Sequence, residues 1–79
     1  MINKLKKEGW KKGIPDLFIP IANQGYFGLW IEMKDENKKH SSLSDDQIFY
    51  LDELEKQGYK AIWCAGSQEA ITSIRDYMQ

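Results

Sequence analysis

Leu17, Ile19 and Ile21, and then Phe27, Leu29, Ile31 and Met33, put an apolar residue at every odd position of two short stretches flanking Asn23-Gln24-Gly25. Side chains of a strand alternate between its two faces, so a period of two on either side of turn residues specifies an antiparallel hairpin. The pattern predicts strands over residues 17–21 and 26–34. Centring the turn near Gln24 sets Leu17 opposite Ile31, Ile19 opposite Leu29 and Ile21 opposite Phe27. The odd residues with Met33 are expected to form one core face, and Asp16, Phe18, Trp30, Glu32 and Lys34 to point the other way.

The second half reads as helix, strand, helix. Leu43-Ser44-Asp45-Asp46-Gln47-Ile48 contains a complete helix start: Leu43 and Ile48 as hydrophobic staple, Ser44 as N-cap and Gln47 as its reciprocal N3 partner. That helix is expected to run to about Gln57, with Gly58 just past its end. Residues 59–65 then return to strand character, with Cys64 packed in a central strand. Ser67 is expected to cap a last helix that carries Glu69 in its first turn and Ala70, Ile71, Ile74, Tyr77 and Met78 at helical spacing. The fold class is therefore α/β, a small mixed sheet of three strands flanked by helices, and residues 1–79 read as one domain with no internal repeat.

Composition narrows the function classes. At 79 residues and 42% hydrophobic content the core is thin, so self-association is expected. Cys64 is the single cysteine, which excludes an intrachain disulfide scaffold and a cysteine-based zinc finger and suits a reducing, intracellular compartment. The longest apolar run, residues 17–22, contains Pro20 and is far short of the ~20 residues of a membrane span. No apolar stretch follows the first charges, so a secretory signal is not expected. The net charge of −1 hides an asymmetry: residues 1–40 carry eight lysines against five acids, and residues 41–79 three bases against seven acids. Such a split permits a nucleic-acid-facing side without a basic chain overall.

The hairpin register brings three charges together. Asp16 falls opposite Glu32, and Lys34 lies two residues further along the same face. Two carboxylates and an amine on adjacent strands form the donor set of a divalent-metal nuclease: hard oxygen ligands for Mg²⁺ or Mn²⁺, with the Met33 backbone carbonyl as a further oxygen, and an ammonium that stabilises charge on a phosphate. The alternatives are plain ones. Asp16 after Pro15 is also turn chemistry, Glu32 and Lys34 also make an exposed cross-strand pair, and Gln47 in a capping box needs no catalytic role.

Gly13-Ile14-Pro15-Asp16, Glu32-Met33-Lys34 and Leu43-Ser44 with Gln47, followed by strand and helix, resemble the virus-type replication-repair nuclease (VRR-NUC) domain of the PD-(D/E)xK superfamily, from about Lys4 to Tyr77. The resemblance implies a restriction-endonuclease-like core; members of the family usually begin with a further helix carrying a metal-binding glutamate, and this sequence is expected to depart from the pattern by lacking it. Glu8 is the sole acid upstream of Asp16, and it lies in the segment leading into the Gly-x-Pro-Asp motif. By resemblance, Asp16 and Glu32 are metal ligands, Lys34 is the catalytic lysine and Gln47 supports the site. It further implies Mg²⁺- or Mn²⁺-dependent hydrolysis of DNA and, as in small phage members, a homodimer acting on branched DNA such as four-way junctions in a bacterial or phage-infected cytoplasm. The alternatives are a catalytically weak nucleic-acid-binding module and a subunit of a larger complex.

Other residues carry weaker signals. Lys4, Lys6, Lys7, Lys11 and Lys12 directly precede the acid motif, so phosphate contact and simple solvation are equally good readings; Lys4, Lys7, Lys11 and Lys12 are the candidates for binding nucleic acid. His40, in a Lys-Lys-His-Ser-Ser stretch, reads as solvated. Trp10, Trp30 and Trp63 read as core or subunit-contact residues rather than base-stacking platforms.

Overall fold

The computed structural model describes residues 13–37 and 42–79. Three strands, β1 (Leu17–Ile19), β2 (Leu29–Lys34) and β3 (Lys60–Ala65), form one sheet in the order β1-β2-β3, with helix α1 (Asp45–Lys56) between β2 and β3 and helix α2 (Ser67–Met78) after β3. β1 runs antiparallel to β2 and β3 runs parallel to it, so the sheet is mixed as expected. A parallel pair cannot be joined by a tight turn, and α1 makes the crossover.

The hairpin register is the expected one along its paired part: Leu17 opposite Ile31, Phe18 opposite Trp30 and Ile19 opposite Leu29. Ile21 and Phe27 do not pair. Pro20 lacks an N–H and ends β1 after three residues. The chain closes instead through Asn23 and Tyr26, whose N–H groups reach each other's carbonyls at 3.1 and 2.9 Å. Gln24 and Gly25 take φ values of 54° and 86° between them, the doubly left-handed geometry of a tight two-residue hairpin turn. The turn therefore centres between Gln24 and Gly25, just beyond the expected centre at Gln24. Leu17, Ile21 and Phe27 end up exposed rather than in the core.

Both faces of the sheet are covered, which differs from the single core face expected. Leu29, Ile31 and Cys64 pack with Ala70 and Tyr77 of α2, joined by Ile19, Tyr26, Met33, Ile62 and Ile74. On the opposite face Ala61, Trp30, Trp63 and Tyr59 pack with Leu43 and with Ile48, Leu51 and Leu54 of α1. Crossover helices make this the normal state of a parallel strand pair. The central strand is β2, so Cys64, 2% exposed and partnered by the Ser73 hydroxyl at 3.5 Å, lies in an edge strand rather than the central one.

The helix boundaries follow local chemistry with one exception. Ser44 Oγ accepts from Gln47 N and Gln47 Oε1 accepts from Ser44 N, closing the capping box at both ends. Gly58, at φ 100°, ends α1 where expected. The exception is α2, whose N-cap is Gly66 with no side-chain cap. Gly66 instead donates its N–H to Lys34 O, and Glu69 Oε1 accepts from Ala65 N, so the start of α2 is fixed by the sheet end rather than by Ser67.

The far end of α2 is held by the hairpin turn. Asn23 Nδ2 donates to the carbonyl of Tyr77 at 2.6 Å, Gln24 Nε2 donates to those of Asp76 and Tyr77, and the Tyr77 hydroxyl donates to Ile21 O at 2.6 Å. These amides satisfy carbonyls that the last helical turn leaves unpaired. Tyr77→Phe should cost about 1 kcal/mol in urea unfolding, and Tyr77→Ala about 3 kcal/mol or more because a fully buried ring is lost. Equal costs for the two would mean that the ring contributes nothing beyond its hydroxyl.

Candidate active site

Asp16 enters the site from a constrained turn. Gly13 takes φ 88°, and a Cβ there would lie 2.6 to 2.8 Å from the Asp46 backbone and Cβ, so only glycine allows this loop to lie against the start of α1. Pro15 is buried next to it. Asp16 follows at the mouth of β1, exposed, with Oδ2 accepting from Met33 N at 2.9 Å. This bond ties the residue before β1 to β2 beyond the last paired residues, Leu17 and Ile31.

The ladder also orients the Met33 carbonyl. Gly28 O accepts from Lys60 N and Lys34 O from Gly66 N, so the even residues of β2 direct their backbone groups towards β3. The two backbone groups of a strand residue point to the same side, so the N–H and carbonyl of Met33 both face the opposite edge, where β1 has ended and Asp16 stands.

Glu32 lies on the α1 face, beside Trp63 in the parallel register, and is only 4% exposed. Its Oε2 accepts from Gln47 Nε2 at 3.0 Å, while its Oε1 is buried with no hydrogen-bond partner. Burial pushes the Glu32 carboxyl up from 4.5 to about 7, the nearby Asp16 charge adds to the rise, and Lys34 opposes it. A protonated Glu32 can also donate to Asp16, which favours the neutral form further. The structure therefore brings Asp16, Glu32, Lys34 and Gln47 to one end of one sheet face. Gln47 is hydrogen-bonded to the helix cap and to Glu32 at once, so the cap does not prevent it from reaching Glu32.

Two carboxylates whose charges repel, one of them carrying a buried oxygen without a donor, fit a hard divalent cation: such an ion would relieve both the repulsion and the unpaired oxygen. Among the described residues no group of three or more His, Cys, Asp or Glu side chains is assembled for a metal, and the donors they offer here are two carboxylates and a carbonyl. Lys4, Lys6, Lys7, Glu8, Trp10, Lys11, Lys12 and His40 lie outside the described residues. Among the described residues no helix is long and apolar enough to cross a membrane.

The model of the VRR-NUC domain family matches residues 1–68. This chain belongs to the VRR-NUC family. A solved structure described as a VRR_NUC domain protein superposes on 98% of the chain with a TM-score of 0.81 and 35% identity. The match accounts for 62% of that relative, so the present chain spans less than two thirds of its length. No curated protein matches. The VRR-NUC match makes this a nuclease-type domain with an α/β fold, and it includes α2, which lies almost wholly beyond the residues matched by the family model.

Sequence reasoning missed two features of the candidate site in this VRR-NUC domain. One is the close approach of Gly13 to α1, for which the Gly-x-Pro-Asp spacing was the available signal. The other is the direction of the Gln47 amide, which depends on a strand 15 residues away and has no local signal.

Metal-free protein should lose stability as pH rises from about 4.5 through about 7, because the unfolded carboxyl ionises in that window while folded Glu32 still holds its proton. Glu32→Gln should remove this loss. Its amide can accept from Gln47 and donate to Asp16, so in chelator at pH 8 the variant should be more stable by on the order of 2 kcal/mol, with the difference vanishing near pH 4. Parallel urea curves for both proteins across pH would contradict the buried charge. Separately, Gly13→Ala should cost on the order of 2 kcal/mol or more, and Gly25→Ala, equally left-handed but with nothing within 4 Å of an added Cβ, about 1 kcal/mol.

Proposed function

We propose that this protein is a Mg²⁺- or Mn²⁺-dependent DNA endonuclease that acts on branched DNA, four-way junctions above all, as a homodimer in the cytoplasm of a bacterial or phage-infected cell. The observation that carries the reading is the Asp16–Glu32 pair beside Lys34, with Glu32 Oε1 buried and unpartnered, in a chain of the VRR-NUC family. Asp16, Glu32 and the Met33 carbonyl would hold the ion. When bound, it supplies Lewis-acid polarisation of the phosphate and a more acidic water.

The residues of the chain do the rest. Gln47 holds Glu32 by its Oε2 and leaves Oε1 for the ion. Lys34 stabilises the charge that builds on the non-bridging phosphate oxygens as the water oxygen bonds to phosphorus and the bond to one sugar oxygen breaks. The attacking water gives up a proton to solvent, and the leaving oxygen takes one from it. Lys4, Lys7, Lys11 and Lys12 would hold flanking phosphates. Exposed Leu17, Phe18, Ile21 and Phe27, around the short edge strand β1, favour a second copy there, and a two-fold dimer would present two sites to opposite strands of a junction.

The two carboxylates offered by the described residues favour one other reading, a binding module that keeps the fold and holds metal too weakly to cut. Cleavage of a labelled four-way junction beside linear duplex and single strand, in Mg²⁺, Mn²⁺ or chelator, separates the two. The expected result is junction-selective cutting abolished by chelator and reduced about 1,000-fold or more in Asp16→Ala and Lys34→Ala. Intact, salt-sensitive DNA binding with no cutting under either metal would leave the module.

A further inference from the structure

The capping box of α1 does more than start a helix. Gln47 has one side-chain amide, and both its ends are engaged: Oε1 accepts from Ser44 N at 2.8 Å and Nε2 donates to Glu32 Oε2 at 3.0 Å. Turning the amide over would set its NH₂ against the Ser44 N–H and its oxygen against the Glu32 carboxylate, two repulsive contacts in place of two attractive ones. The direction of the amide is therefore determined by Ser44 together with Glu32, and Ser44 is the partner that holds its oxygen end. The Ser44 backbone is fixed in turn by its hydroxyl, which accepts from Gln47 N at 3.1 Å, and by Leu43, buried against α1.

We infer that Ser44 is a positioning residue of the site: its cap geometry aims the Gln47 NH₂ at Glu32, holds Oε2, and thereby leaves Oε1 as the free oxygen of that carboxylate. The consequence is that the start of α1 and the acid pair form one mechanical unit. Ser44 touches neither carboxylate. It acts through Gln47, as outer partners orient the ligands of a metal. This rests on the reading of Asp16 and Glu32 as the site, and the test keeps the two separable.

Four proteins decide it alongside wild type: Ser44→Ala, Ser44→Thr, Gln47→Ala and the Ser44→Ala/Gln47→Ala double variant. In metal-free protein the side-chain NH₂ resonances of Gln47 are read by ¹⁵N NMR. They should be shifted and slow to exchange in wild type and in Ser44→Thr, which retains a cap hydroxyl, and collapse to solvent-exposed values in Ser44→Ala. With Mn²⁺ alone as probe, calorimetry should show affinity about tenfold weaker in Ser44→Ala, nearly restored in Ser44→Thr, and no weaker in the double variant than in Gln47→Ala.

Loss of the cap also raises the unfolding equilibrium constant about fivefold, so Leu54→Ala, which loosens the same helix at a buried position further along α1, is the control. Equal weakening of Mn²⁺ binding by Leu54→Ala would overturn the inference, as would an unchanged Gln47 amide in Ser44→Ala. A wild type that binds no Mn²⁺ would refute the metal reading, while the amide resonances would still decide the role of Ser44.

Discussion

A carboxylate buried on a covered sheet face is costly unless its surroundings compensate, and the arrangement around Glu32 follows from that cost. With 4% of its surface exposed, Glu32 has a donor on one oxygen and none on the other, and a second carboxylate beside it. A domain of this size has little stability to spare, which makes a buried carboxyl held this way the centre of the candidate site. The compensation comes from three directions: the Gln47 amide on α1, the Lys34 charge on the same strand, and the readiness of the carboxyl to stay protonated up to about 7.

The rest of the fold holds those directions still. The β2–α1–β3 crossover brings the first turn of α1 over β2, and the Gly13 turn, packed against Asp46, delivers Asp16 to the same end. On the other face α2 is held at both ends, at its start by the Gly66 bond to Lys34 O and at its end by the Asn23 and Gln24 amides. The first of these ties α2 to the residue that carries the candidate lysine. Two small cores on opposite faces of three strands thus share β2 between them, and the site lies at its C-terminal end.

Much of this was legible because the signals are short-ranged. The alternation around Asn23-Gln24-Gly25 predicted the register of Leu17 with Ile31 and of Ile19 with Leu29, and Leu43-Ser44-x-x-Gln47 predicted the helix start with both reciprocal bonds. The misreadings were those where a distant element overrode a local preference. Ser67 is a good cap by type, yet the sheet end supplies the partners and Gly66 takes the position. Ile21 and Phe27 fit an apolar period, yet Pro20 ends β1 before they can pair, and Leu17, paired with Ile31 on the edge strand, stays exposed as well.

The sequence by itself determined the element order, the hairpin register, the capping box and the co-location of Asp16, Glu32 and Lys34, because each depends on backbone and side-chain geometry within one element or across one turn. Only the tertiary structure decided that α1 covers the face carrying Glu32, that this burial raises its carboxyl to about 7, and that the Gln47 amide faces Glu32 with Oε1 left unpartnered. Burial and hydrogen-bond direction depend on which surfaces meet across the crossover, and no residue's neighbours along the chain encode that.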